Sequence, residues 1–346
     1  GTILLSSCAA NEGGTTEPTT GPALSGTIDG AGASSQGSAQ EAWIAAFQTA
    51  NPDLTINYDP SGSGAGREAF IAGGVAFAGT DSSLKQEEID GGFAGCTPDT
   101  GYIQVPAYIS PIAVAFNLPE ITELNLDAVT VAKIFRGEIA TWNDPAIAAQ
   151  NPDATLPDLA VTPVNRSDDS GTTTNFTEYL AAAAPEAWTD KASGVWPASL
   201  QGENAKGTSG VVKTVTDTPG AVTYADDSAV SGKLGVALIK VGESYTKISA
   251  EAATKAVDGR NANDLSIKLD RTTTIEGAYP IVLVSFHVVC SAYADQKTVD
   301  LVKAFESYVV SDAGQTAAAD AAKSAPLSKD LQDKALKSIE SIKVKS

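Results

Sequence analysis

Apolar and polar positions change rhythm many times along this chain. Ala39, Trp43, Ala46, Phe47 and Ala50 recur at helical spacing and predict an amphipathic helix over 38–50. Asn51-Pro52-Asp53 stops it, and 54–58 then alternates as a strand. Short apolar runs at 24–29, 70–77, 103–105, 112–116, 161–164, 221–224, 234–239 and 281–289 predict further strands. Helical patterns fall at 129–135, 173–184 and 299–310, with Phe176, Leu180 and Ala183 on one face of the second. A last one over 331–342 aligns Leu331, Ala335, Leu336, Ile339 and Ile342. Alternating strands and helices predict an α/β fold with mainly parallel sheets. No fixed-period repeat is present.

At 346 residues the chain is long enough for two domains. Apolar residues make up 42% and charged ones 19%, enough to build a sizeable core. The formal charge of −19 argues against nucleic acid, whose phosphates demand clustered cations. It also argues against anionic lipid surfaces. A single histidine, His287, excludes sites needing two or more histidine ligands. There is no P-loop pattern and no apolar run of membrane-spanning length.

The start of the chain reads as an export signal. Residues 1–7 look like the remnant of a signal peptide. Leu5-Ser6-Ser7-Cys8 looks like a bacterial lipobox, so Cys8 is expected to carry lipid; a chance Cys after an apolar run is the alternative. Residues 8–23 are rich in Gly, Thr and Pro and read as a flexible tether. If Cys8 is lipidated, Cys96 and Cys290 remain of three cysteines, and an oxidising compartment favours a disulfide between them. Two buried free thiols are the alternative.

Three loops share one design. Gly30-Ala31-Gly32-Ala33-Ser34-Ser35, Ser61-Gly62-Ser63-Gly64-Ala65-Gly66-Arg67 and Arg166-Ser167-Asp168-Asp169-Ser170-Gly171-Thr172 each follow a strand and open a helix. Small residues let a ligand approach the backbone, hydroxyls donate, and a helix N-terminus favours an anion. Arg166 begins the third loop with a planar fork suited to a tetrahedral oxyanion, and Asp168 is placed to orient it. Arg67 opens a helix and is expected to be a solvated surface charge.

These motifs resemble the phosphate-binding protein of bacterial high-affinity phosphate ABC transporters. Its first loop, GAGA-[ST], reads here Gly30-Ala31-Gly32-Ala33-Ser34, and its Gly-Ser-Gly turn follows Tyr58. Its "VxFxxSD" segment appears as Val75 to Asp81 with Thr80 in place of Ser. Its Arg-x-Asp-x-Ser-Gly-Thr signature is Arg166 to Thr172, the most specific match. Ile134-Phe135-Arg136-Gly137-Glu138-Ile139, Trp142-Asn143-Asp144-Pro145 and Pro219-Gly220-Ala221-Val222-Thr223-Tyr224 resemble further family segments. The resemblance spans roughly 24–330. Two departures stand out: Ser34-Ser35 where the family often has Thr-Phe, and Ser324-Ala325-Pro326-Leu327-Ser328 for its "GYxPLP".

The resemblance implies a two-lobed periplasmic-binding-protein fold of type II-like form, with a ligand cleft between lobes and a two-strand hinge. Lobe one would be 24–106 plus 285–346 and lobe two 107–284, with crossovers at 104–109 and near 281–286. Ser34, Ser35, Ser63, Asp81, Arg166, Ser170, Gly171 and Thr172 would bind inorganic phosphate, with Asp168 behind Arg166. Asp81 would accept the proton of hydrogenphosphate and repel sulfate; read alone, it is equally a helix cap. No cofactor or metal is implied. The partners would be an ABC permease and, through the lipid alone, the cell membrane, with the protein monomeric and outside the cytoplasm. A secreted or surface phosphate-ester hydrolase is the rival reading; a Ser-His-Asp triad would have to recruit His287 from the apolar strand at 284–289, and a carboxylate metal site among the 42 acidic residues stays open. An adhesion or structural surface protein is a third, with no need of the Arg166 loop. Asn165 and Asn175 begin glycosylation sequons, read as accidental.

Overall fold

The computed structural model describes residues 24–345, apart from Ser231, Lys233 and 261–264. Cys8, the signal remnant and the tether lie outside the described residues. The first strands are β1 (Gly26–Gly32), β2 (Leu54–Asp59), β3 (Phe77–Thr80), β4 (Tyr102–Phe116), β5 (Glu123–Leu126), β6 (Thr162–Arg166) and β7 (Glu203–Ala205). Then come β8 (Ala221–Asp226), β9 (Gly235–Val241), β10 (Ser244–Thr246), β11 (Val257–Arg260), β12 (Ile267–Leu269) and β13 (Val282–Cys290). The helices begin with α1 (Gly37–Ala50), α2 (Ser63–Ile71), α3 (Gln86–Asp90), α4 (Ala128–Phe135), α5 (Pro145–Ala148) and α6 (Gly171–Ala183). They continue with α7 (Gly207–Asp217), α8 (Asp227–Val230), α9 (Ala250–Thr254), α10 (Gln296–Val310), α11 (Asp312–Ala322) and α12 (Lys329–Glu340).

One large sheet runs in the order β2-β1-β3-β13-β4-β8-β6-β7, with β9 joining β4, β5 and β10 beside it. Its wings are parallel: β1 with β2 and β3, and β6 with β7 and β8. Its centre is antiparallel, where β13 pairs β3 and β4, and β4 pairs β8. The expectation of mainly parallel sheets is therefore corrected to a mixed one. The apolar runs at 103–105 and 112–116 belong to a single strand, β4, although Pro106 and Pro111 lie inside it. Residues 102–111 pair with β13 and 112–116 with β8, so most of β4 has a partner on one side only, where a missing N–H is tolerated. Ala107 is extra at a bulge, with Ser285 facing Tyr108 and Phe286 facing Pro106. The run at 70–77 is also corrected: Phe70 and Ile71 end α2 and the strand begins at Phe77.

β13 is buried at all nine positions, which explains its nearly unbroken apolar sequence. On one side of the sheet Trp43, Phe47, Phe77 and Phe305 pack, with Phe47 and Phe77 each 5.6 Å from Phe305. On the other wing Phe176 and Trp196 stack on Tyr224 at 4.4 and 5.6 Å. Cys96, after α3, forms a disulfide with Cys290 at the end of β13. Ala325, in the segment that departs from the family pattern, exchanges backbone hydrogen bonds with Ile109. No described helix is long and apolar enough to cross a membrane.

Candidate functional site

The C-terminal ends of β1, β3 and β6 converge on one point, as open α/β sheets arrange their crevices. β6 ends at Arg166, and Ser170 caps α6 by accepting from Thr173 N at 3.2 Å. That leaves the Ser170 hydrogen free to be donated. The first N–H groups of α6, at Gly171 and Thr172, have no acceptor within the helix, and thirteen aligned peptides favour an anion there. Gly171 must be glycine: a Cβ would stand 2.6 Å from both Asp81 Cβ and Ser63 Oγ. Thr172 is buried, and its Oγ1 has no hydrogen-bond partner among the described residues.

Asp81 follows β3 and is 3% exposed. Ser35 Oγ donates to its Oδ2 at 2.5 Å and Ser285 Oγ to its Oδ1 at 2.6 Å. Its own N–H donates to Ser63 Oγ at 3.2 Å. Burial pushes this carboxyl above its ordinary value, while Ser285, Ser35, Arg166 and Arg67 pull the other way without cancelling it.

Arg166, also 3% exposed, grips Asp168 through Nε (2.8 Å to Oδ1) and Nη2 (2.5 Å to Oδ2). Asp168 takes a further bond from Gly207 N at 3.1 Å. Partial burial would raise the Asp168 carboxyl, but Arg166 outweighs it and holds it below the ordinary value. One edge of the guanidinium is thus spent on Asp168, and the opposite edge is left for another acceptor.

Ser34 stands at the rim. Its Oγ accepts from Thr208 N at 3.0 Å and lies 3.0 Å from Thr208 Oγ1, so it links the β1 loop to α7. Other bonds cross the same gap. Gly64 N donates to Asp169 O at 3.0 Å, and Asn175 Nδ2 to Asp81 O at 2.7 Å. Gly62, at φ 106°, lies so close that a Cβ would stand 2.3 Å from Asp168 Oδ2. Arg67 Nη2 and Lys85 Nζ reach Asp169 Oδ2 at 3.4 and 3.1 Å.

Arg67 corrects an expectation. It is 1% exposed rather than solvated. It pairs with Glu88 at 3.0 Å and donates to Thr80 and Ser82 as well as Asp169. Ser285, Asn175 and Asp169 are site residues that sequence reading passes over. A serine inside the apolar run Val284-Ser285-Phe286 is a visible signal; Asn175 shows only as an accidental sequon. His287 is fully buried, with Nδ1 2.9 Å from Glu306 Oε2 and Nε2 2.8 Å from Gln40 Nε2, so no nucleophile is among its partners.

Three comparisons fit this geometry. The family model of the PBP superfamily domain matches residues 17–313. "Phosphate-binding protein PstS 3" of Mycobacterium tuberculosis is 35% identical over 337 residues, 92% of this chain and 90% of that one. The protein of the same name from Mycobacterium leprae is 36% identical over 321 residues, 87% of this chain and 86% of its own. Among solved structures, a high-affinity periplasmic phosphate-binding protein bound with phosphate superposes with a TM-score of 0.71 at 21% identity, covering 89% and 92% of the two chains. A putative phosphate ABC transporter substrate-binding protein from Clostridium perfringens gives 0.64 at 19% identity, covering 88% and 100%. At such identities the structural likeness concerns the fold.

Proposed function

Because the chain belongs to the phosphate-binding protein family of phosphate ABC transporters, we propose that it binds hydrogenphosphate outside the cytoplasm and hands it to an ABC permease. It is a solute-binding component, not an enzyme. The observation that carries the reading is one buried pocket wall that joins a cation, a helix N-terminus and a carboxylate. Arg166 and the α6 N-terminus, with Thr172 Oγ1 still in need of a partner, suit an oxyanion. Asp81 suits only an oxyanion that still carries a proton. At neutral pH phosphate carries one and sulfate does not, so the carboxylate attracts the first and repels the second. An acidic protein can do this because local donors set the site while distant charges are screened.

In this reading Ser35, Ser63, Asp81, Arg166, Ser170, Gly171 and Thr172 meet the ligand, and Asp168 aims Arg166. Ser34, whose hydroxyl spans the gap to Thr208, would contribute through its backbone and by holding the closed form. The lobes would be 24–106 with 285–346 and 107–284, hinged where β4 and β13 run side by side, and phosphate would favour their closure. Attachment to the membrane would come through lipid on Cys8. The test is titration calorimetry with phosphate and sulfate. The parent should bind phosphate and reject sulfate, and Asp81→Asn should weaken phosphate and narrow the gap. Unchanged sulfate rejection in the variant overturns the role of Asp81.

A further inference from the structure

Behind Asp81 lies a buried polar ladder. Gln36, Gln40, Ser285, His287 and Glu306 are each at most 2% exposed. Buried polar groups at this density are costly unless every proton has a place. His287 Nδ1 faces the Glu306 carboxylate at 2.9 and 3.0 Å, so it carries the hydrogen. Its Nε2, which also lies 3.2 Å from Gln36 Oε1, then accepts from Gln40 Nε2 at 2.8 Å; Gln40 Nε2 also donates to Gln36 Oε1 at 2.9 Å, while Gln40 Oε1 has no partner among the described residues. The Phe286 carbonyl, which can only accept, fixes the Gln36 amide with Nε2 outward. Its two hydrogens go to Phe286 O at 3.0 Å and Ser285 Oγ at 2.7 Å. Ser285 accepts there, so its own hydrogen goes to Asp81 Oδ1.

We propose that Ser285, aimed by Gln36, is a specificity-determining positioning residue: it obliges Asp81 to accept rather than donate, and so keeps sulfate out. The inference rests on the reading of this pocket as a phosphate site. An Asp81 which has taken up a proton would donate to any tetrahedral anion and lose its power to discriminate. Burial works toward that failure, and a hydroxyl fixed from behind works against it. Ser35 does the same from the turn that follows β1, but its hydroxyl has no comparable ladder, and Tyr108 Oη holds only its carbonyl, at 3.3 Å. The other charged or titratable groups around Asp81 are Arg166 on β6, Arg67 on α2, Tyr58 on β2, Tyr108 on β4 and Asp226 on β8. All of them remain in a Ser285 variant.

The experiment is calorimetric titration of the full chain with phosphate and with sulfate from pH 5 to 8, for the parent, Ser285→Ala and Ser285→Thr. Loss of a hydrogen bond to a charged group predicts about tenfold or greater weakening of phosphate at pH 7 in Ser285→Ala. Sulfate binding should set in at a higher pH than in the parent, because Asp81 takes up its proton earlier. Ser285→Thr keeps the hydroxyl and should restore the parent's pH profile, which a loss of packing alone would not explain. If Ser285→Ala does not fold, Gln36→Leu decides by the same readouts, with a smaller shift in the same direction. A parent that binds no phosphate fails the reading of the site. A parent that discriminates, beside a Ser285→Ala protein that discriminates equally at every pH, overturns the role of Ser285 alone.

Discussion

Removing the Arg166 guanidinium takes away the buried cation of the pocket and leaves Asp168 without its main partner. Truncating one member of a desolvated, charge-assisted contact typically costs about 2–5 kcal/mol. Arg166→Ala should therefore weaken phosphate binding by about 30-fold to several thousand-fold, measured by calorimetry. A parent-like Kd would refute the site. A second residue-scale effect concerns Asp226, fully buried on β8, where it accepts from Ser110 Oγ and Ser228 Oγ at 2.6 and 2.5 Å. Burial dominates and pushes its carboxyl up to about 7. The folded state thus keeps a proton that the unfolded chain has lost, and stability falls as pH rises from the ordinary carboxylate range toward 7. Asp226→Asn should remove this slope, so its melting temperature should gain on the parent's between pH 5 and pH 8. Parallel melting curves at both pH values would show that Asp226 is ionised throughout.

At the scale of elements, loops from different strands are held together by Asp169, which receives Arg67 from α2 and Lys85 from the start of α3. Partly exposed pairs contribute little each, about 0.2–1 kcal/mol. Asp169→Asn should then raise the phosphate off-rate by a few-fold and reduce its salt dependence, as stopped-flow release would show. An unchanged off-rate at low salt would mean the contact does not resist opening. Elements with a strong period, such as α1, α10 and α12, were legible in the sequence because one face alone is apolar. α7 and α11 were not. The first is dense in Val and Thr, which also suits a strand, and the second is mostly Ala, with no bulky stripe to read. The pocket was legible where its residues share a loop, as from Arg166 to Thr172. It was not legible where Arg67 meets Asp169 across 102 positions or Ser285 meets Asp81 across 204, because pairing at such range leaves no local pattern. Where the family often has Thr-Phe, Ser34 keeps a hydroxyl and Ser35 adds one beside its backbone N–H. The structure gives each hydroxyl a definite acceptor or partner.

For the whole molecule, the Cys96–Cys290 disulfide spans a sequence separation of 194. Closing so long a loop contributes up to about 5 kcal/mol by restricting the unfolded chain. Replacing both cysteines by serine should lower the melting temperature while leaving phosphate affinity at 25 °C nearly unchanged, since neither sulfur touches the pocket. An affinity loss comparable to that of Arg166→Ala would show that the bridge shapes the site. The same bond has a topological consequence. Cys96 precedes β4 and Cys290 ends β13, so everything from residue 97 to 289, including β6, α6 and the Arg166 loop, lies inside one covalent ring. A protease that nicks an exposed point of that ring, such as the turn near Val195, cannot release a fragment. The cut chain stays a single species, heavier by one water, and falls into two pieces only when a reductant opens the ring.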